Sequence, residues 1–326
     1  MMIGGRAFGA KKPFLEVSTT ILSFATGAGS QNVSVVANMD WTAVSNIPSW
    51  CTVSPSSGSK NGTLTVSVTA NAAAARNATI TVSDGTITKY VAVSQDAAPM
   101  TQHVLQFTST QNWVVPATVT LIDGFSVGDG GAGGTSSSGC AGGGAGYTTT
   151  KYNIPVTPGE TLTITIGQGG IAGANLSVLD GVGTSIKRGS TVLSSANGGY
   201  GCKNNKFGGN GGSGGGAMNA DGGHNGSDGQ TPVGVTGYHG IGQGTTTICP
   251  FTGVMYAGGG AGCGKYPGED IVAQGGQGGG GNGGYTITKG GSGLPGTGGG
   301  VGGGFGSSST GGNGGSGRVN IRYYSY

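Results

Sequence analysis

Glycine is the feature that most constrains this chain: of its 77 glycines, 8 lie in the first hundred residues and 69 follow them. The later ones gather in runs, Gly128 to Gly134, Gly208 to Gly216, Gly258 to Gly264, Gly275 to Gly284, Gly296 to Gly306 and Gly311 to Gly317. Residues without side chains build no apolar core. The runs therefore either stay a solvated tether, the default for a residue that loses the most entropy on ordering, or satisfy their N–H and C=O groups against one another. The second route needs extended, left-handed threefold helices lying side by side, the steric logic of the crowded axis of collagen. Single larger residues, Val301, Phe305, Asn282 and Asn313, punctuate the runs in place of the serines and threonines of a linker, and aromatics recur between runs. An ordered bundle is the expectation. Strict period three is not kept, so its helices are free to lie antiparallel within one chain.

Apolar stretches frame the glycine segment: Val104 to Phe107, Trp113 to Pro116, Val119 to Ile122, Tyr152 to Val156, Leu162 to Ile166 and, at the far end, Arg318 to Tyr323. These read as strands. The last alternates apolar and polar residues after more than a hundred glycine-rich ones and is expected to pair back with the opening strands. The glycine runs would then be an insertion in a jelly-roll-like sandwich.

Ahead of this lies a compositionally ordinary third. Thr63 to Val68 and Ala78 to Val82 alternate with period two, and Ser56-Ser57-Gly58, Asn61-Gly62 and Asp84-Gly85 mark turns at the spacing of an antiparallel sandwich. Only Ala72 to Ala75 has room for a short helical connection. Trp41, Trp50, Val53-Ser54-Pro55-Ser56-Ser57-Gly58, Ala70-Asn71, Arg76 before an Ala-Thr-Ile-Thr-Val strand, and Val93-Ser94-Gln95 resemble a BACON module. That family of immunoglobulin-like domains is typical of Bacteroidota proteins and their phages. The resemblance implies a sandwich over 14–97 and an association with carbohydrate or mucin, or a spacer role. An indole face suits a sugar ring, but Trp41 and Trp50 are expected in the core, as is Cys51.

The second region resembles glycine-rich domains of phage tail adhesins and of the extracellular part of certain receptor tyrosine kinases. The resemblance rests on Phe107 with Trp113 to Pro116, Val127-Gly128-Asp129-Gly130-Gly131, Val156 to Thr161 before Ile166 to Gly170, and Gly317 to Ile321. The expected organisation is an all-β chain with an anchoring arm at 1–13, the BACON sandwich at 14–97, and at 98–326 a sandwich carrying a polyglycine-II helix bundle. Segments joining the helices would be the recognition surface, because loops on a stiff scaffold vary without unfolding it. The candidates are Tyr200, Lys203, Asn204, Asn205, Phe207, Tyr238, His239, Phe251, Tyr256 and Tyr266, residue types that combine stacking with adaptable hydrogen bonds. The bland alternative is that these aromatics cover the bundle sides.

Other chemistry finds little support. Gly211 to Gly215 fits the G-x-S-x-G pattern of a hydrolase, but a pattern whose fixed positions are glycine matches any glycine tract; no catalytic residue is expected. Cys140, Cys202, Cys249 and Cys263 lack paired zinc-ligand spacing and read as thiols or as one or two disulfides formed in an oxidising milieu. No metal or cofactor is expected, His224 with Asp221 and Asp228 being the nearest thing to a metal site. Fifteen Lys and Arg against twelve Asp and Glu, unclustered, offer nothing to track a phosphate backbone, so nucleic acid is not an expected partner. No apolar stretch approaches the ~20 residues of a membrane span, and Met1 to Lys12 lacks the apolar core of a secretory signal.

Together these readings predict a non-catalytic virion surface protein, a tail-fibre, tail-tip or head-fibre adhesin made in the host cytoplasm. Its front end would join other virion proteins and its head would bind host surface glycan, protein or mucin. A homotrimer is expected by analogy with fibres, and avidity from many copies would supply the attachment. A ligand-free decoration or spacer, and a bacterial cell-surface carbohydrate-binding protein, are the alternatives.

Overall fold

A computed structural model describes residues 12–136, 140–172, 180–202, 207–219, 222–223, 225–233, 239–263, 273–284, 289–305 and 311–326. Among these residues the regular structure is entirely β, and the chain divides into two compact units, 1–101 and 102–325.

The described residues of the first unit form nine strands: β1 (Leu15–Val17), β2 (Ile21–Phe24), β3 (Gly29–Ala37), β4 (Asp40–Ser45), β5 (Cys51–Ser54), β6 (Ser57–Ser59), β7 (Gly62–Val68), β8 (Arg76–Ser83) and β9 (Thr88–Gln95). They form two sheets, β1-β3-β7-β5 and β2-β9-β8-β4-β6. Period-two alternation sends Leu64, Val66 and Val68 of β7, and Ala78, Ile80 and Val82 of β8, into one apolar cluster. Each fully buried Val, Leu or Ile there contributes roughly 1.5–3 kcal/mol. Trp41 and Trp50 are buried in that cluster, so neither offers a face to a sugar. The Trp41 indole donates from Nε1 to the Lys60 carbonyl at 2.7 Å, and its ring fills the space that a side chain at Gly58 would need. Arg76 lies 4.3 Å over the Trp50 ring and donates to Gln95 Oε1 (2.9 Å) and to the Thr69 carbonyl (2.7 Å), which ties the start of β8 to the end of β9. Ala72 to Ala75 forms no helix. Cys51 is buried, and burial pushes its thiol above the usual range.

The second unit contains β10 (Thr101–Phe107), β11 (Gln111–Val114), β12 (Leu121–Val127), β13 (Thr135–Ser136), β14 (Thr148–Pro155), β15 (Thr161–Thr165), β16 (Thr184–Arg188), β17 (Thr191–Ala196), β18 (Met218–Asn219), β19 (Gly222–Gly223), β20 (Gly304–Phe305) and β21 (Arg318–Ser325). Two four-stranded sheets, β10-β21-β12-β14 and β11-β15-β16-β17, contribute Phe107, Ile122, Leu162, Ile164, Ile186, Val319 and Ile321 to a single core. The closing strand β21 returns to lie between β10 and β12. The β16–β17 hairpin turns at Gly189, whose φ of 55° suits glycine.

Between these strands the glycine segments pack against one another mainly through their backbones. From Gly142 to Tyr147, successive N–H groups donate to the carbonyls of Gly216, Val301, Tyr200, Ser213, Gly298 and Asn197, at 2.7 to 3.0 Å. Positions 142 and 145 thus reach one neighbouring segment, 143 and 146 a second, and 144 and 147 a third. A β-ladder sends its bonds to neighbours in one plane, whereas here the direction repeats every three residues. Partner numbers fall along the segment, so these neighbours run antiparallel. Gly199 and Cys202, donating to Asp129 and Ala132, make a parallel pair. A Cβ on Gly130 would overlap the Gly299 carbonyl, and one on Gly260 the Val301 carbonyl.

Among the described residues of this region Asp129 is the fully buried carboxylate. It accepts N–H bonds from Val182 (3.0 Å) and Gly317 (3.0 Å), with the Thr184 hydroxyl at 3.4 Å, so one side chain joins three segments. Desolvation outweighs those donors and pushes its carboxyl up to about 7.

Two outcomes follow for stability. Gly130→Ala and Gly260→Ala should each cost the second unit about 3 kcal/mol or more, because backbone cannot retreat as a side chain can. Gly27→Ala, which meets nothing within 4 Å, should be neutral; amide hydrogen exchange in each unit reads both. The folded state holds the Asp129 proton more tightly than the unfolded chain, so that stabilisation is complete below about pH 4 and is lost as pH rises through about 7. The melting temperature of the second unit should therefore fall between those values, and Asp129→Asn should remove that trend.

Candidate binding surface

Strand β21 has two faces. Val319 and Ile321 enter the core of the second unit, and the alternate residues Asn320, Arg322 and Tyr324 belong to the other face of the sheet. The segment around 249–257 lies over part of that second face. Phe125 and Val127 of β12 meet Cys249, Tyr256 and Ala257 there, Asn320 Nδ2 donates to Cys249 Sγ at 3.3 Å, and Arg318 Nη1 donates to Tyr256 Oη at 3.2 Å. Tyr256 is 3% exposed, which makes it a packing residue.

Further along the same face, three rings surround one guanidinium. Arg322 lies 4.7 Å from the Phe251 ring centre, 5.9 Å from that of Tyr152 and 5.8 Å from that of Tyr324. Its Nε and Nη2 donate to Asp123 Oδ2 at 2.9 and 2.6 Å, while Asp123 Oδ1 accepts the Asn153 N–H at 2.8 Å. The Asp123 hydrogen bond pushes the Arg322 pKa further up, so the guanidinium stays charged. Each ring is fixed by its own element. Tyr152 precedes Asn153, whose φ of 54° marks an irregularity in the β12–β14 pairing. The Tyr324 hydroxyl donates to Gln102 Oε1 at 3.0 Å, and Phe251 sits in a tight turn closed by the Gly253 N–H to the Cys249 carbonyl at 2.9 Å. Tyr152 and Tyr324 remain 54% and 43% exposed.

The residues singled out in the sequence are distributed unevenly. Phe251 belongs to the arginine cluster, half-buried, and Tyr256 lies on the same sheet face. Tyr200 and Phe207 are exposed, whereas His239 is buried and its Nδ1 accepts the Ala217 N–H at 3.2 Å. Lys203, Asn204, Asn205, Tyr238 and Tyr266 lie outside the described residues, as do Asp221 and His224. Tyr152, Arg322 and Tyr324 were not among the candidates. The alternation of β21 against Val319 and Ile321 was the available signal that Arg322 and Tyr324 share a face, and nothing in the sequence joined Tyr152 to them.

The cysteines do what their spacing conceals. Cys140, Cys202 and Cys263 come from three separate segments into one buried cluster beside Met218. Cys140 Sγ lies 2.6 Å from Cys202 Sγ, and the Cys140 N–H donates to Cys263 Sγ at 2.6 Å. The Cys202 contact and burial push the Cys140 thiol up, and burial pushes Cys263 up to about 12. Among the described residues no group of three or more His, Cys, Asp or Glu is arranged to hold a metal ion.

A sequence profile described as "Glycine-rich domain" matches residues 106–324, and the BACON profile, described as "Putative binding domain, N-terminal", matches residues 40–96. No curated protein matches the sequence. Among solved structures, a Bacteroides ovatus GH5 xyloglucanase in complex with a XXXG heptasaccharide is 26% identical with a TM-score of 0.25. The match covers 28% of this chain and 20% of that one, so the chain spans about a fifth of the enzyme. Domains 5-6 of the S-layer protein SbsC are 17% identical (TM-score 0.23, covering 57% and 98%), and the periplasmic chaperone SfaE is 10% identical (TM-score 0.22, covering 47% and 92%). At these TM-scores the superpositions bear no argument about function.

Burial of all five cysteines has a direct readout. The native protein purified under reducing conditions should not react with a thiol reagent such as Ellman's over minutes, and five equivalents should appear when guanidinium unfolds it.

Proposed function

The chain belongs to the glycine-rich domain family, and from that membership, together with the BACON domain ahead of it, we propose a non-catalytic surface binding protein of a phage virion. The glycine segments are polyglycine-II helices in this reading. Its single strongest support is the three-residue repeat of hydrogen-bond direction from Gly142 to Tyr147, which is the signature of a threefold helix surrounded by neighbours. A block held this way carries its surface residues on fixed backbone, so a ligand is met without ordering a loop first.

The front sandwich, reached through the arm at 1–13, joins other virion proteins and holds the head away from them. The head, itself a sandwich around the helix bundle, meets glycan, protein or mucin on a host cell of the Bacteroidota. Copies are arranged as homotrimers on the particle, at tail or head, and attachment strength comes from many weak contacts made at once. The protein reaches that surface by assembly in the host cytoplasm and release on lysis, with no reaction performed on the ligand.

Antibodies against the chain should decorate intact particles in immunogold micrographs, and the purified full-length protein should adhere to susceptible cells while resistant isolates bind about tenfold less or worse. Labelling confined to uninfected cell envelopes would transfer the protein to the bacterium. Decoration of particles without cell adhesion would reduce it to a spacer.

A further inference from the structure

On the reading of this chain as a binding protein, we propose that the cluster of Tyr152, Phe251, Arg322 and Tyr324 is a saccharide-binding platform that takes a neutral pyranose chain. The rings stand on three separate elements, β14, β21 and the 249–254 turn, and all approach one guanidinium. Asp123 pairs with that guanidinium through Oδ2 and accepts the Asn153 N–H on Oδ1, so both of its oxygens are engaged. The platform therefore carries no net charge with which to select an ionic ligand, and its geometry is set before anything binds.

What it does offer is specific. Tyr152 and Tyr324 are about half exposed and join polarisable ring surface to hydroxyl tips, and the axial C–H groups of a pyranose pack on such rings. Arg322 Nη1 makes no hydrogen bond to a described residue, unlike Nε and Nη2, and can donate to a sugar hydroxyl beside the rings. Gln102 at the platform's edge accepts the Tyr324 hydroxyl and adds a polar amide. A protein partner favours a dehydrated apolar centre, whereas here an ion pair lies among the rings. An extended polysaccharide crossing the sheet face needs only a few stacking points.

The test uses the full-length protein in native gels cast with mannan, dextran, galactan or chondroitin sulfate, with adhesion to intact cells measured in parallel. Wild type should be retarded by at least one of the neutral polymers in a salt-insensitive manner. Tyr152→Ala and Tyr324→Ala should each weaken that binding about tenfold, the scale of one lost stacking partner. Tyr90→Ala, an exposed tyrosine of the first unit, should change nothing. Both substituted tyrosines are partly exposed, so unchanged melting temperatures are expected to accompany the loss. Full binding by both platform variants would overturn the platform and leave the binding function standing. Adhesion to cells without retardation by any neutral polymer would overturn the saccharide and point to a protein ligand. Neither adhesion nor retardation would overturn the binding function as well.

Discussion

The glycine region of the second unit depends on the approach of one bare backbone to another. Elsewhere in the chain, apolar side chains are removed from water and the backbone bonds follow. In the glycine segments the order reverses, since there is almost no side-chain surface to bury and each buried N–H must find a carbonyl on a neighbour. The Gly142 to Tyr147 segment meets that demand in three directions, with partners on segments beginning near 197, 213 and 298. The absence of Cβ atoms is what permits it, because a methyl group at Gly130 or Gly260 would occupy the place of a carbonyl. The entropy lost in ordering glycine is offset only when many such bonds form together.

That arrangement leaves the chemistry to the margins. The larger residues are expelled to the sheet faces, to connections and to a few buried nodes, and each node joins parts distant in sequence. Asp129 links the start of the glycine region to Val182 and Gly317, and the cysteine cluster gathers Cys140, Cys202 and Cys263. On the outer sheet face, the 249–257 segment covers Phe125 and Asn320 and brings Phe251 to Arg322. Aromatic rings in such a position are held by strands and a closed turn rather than by flexible loops.

Much of the strand framework was legible in the sequence because a two-residue alternation states both conformation and face. Trp41, Trp50 and the Thr63 to Val68 run could be placed, and so could the return of Arg318 to Tyr323 to the opening strands. The β16–β17 hairpin was missed, since Thr184 to Ala196 has only Ile186, Val192 and Leu193 to suggest a strand, and Gly189 is one glycine among many. The cluster around Arg322 was not legible. Tyr152 and Tyr324 both approach Arg322 only because β21 enters between β10 and β12, a pairing across more than 150 residues that no local pattern encodes. The cysteines failed for the same reason, their spacing being measured along the chain while their meeting is set by how segments stack.

The three-residue repeat also limits how the glycine region changes length. In the proposed threefold helices, one inserted residue would turn everything after it by a third of a revolution, so each donor would face the wrong neighbour until the segment ends. Whole triplets restore the facing, and any other insertion is absorbed only in the connections. Lineages carrying this block should accordingly keep a triplet metre inside their glycine runs while their linking segments drift freely in length, as a reading frame constrains coding exons more than the introns between them.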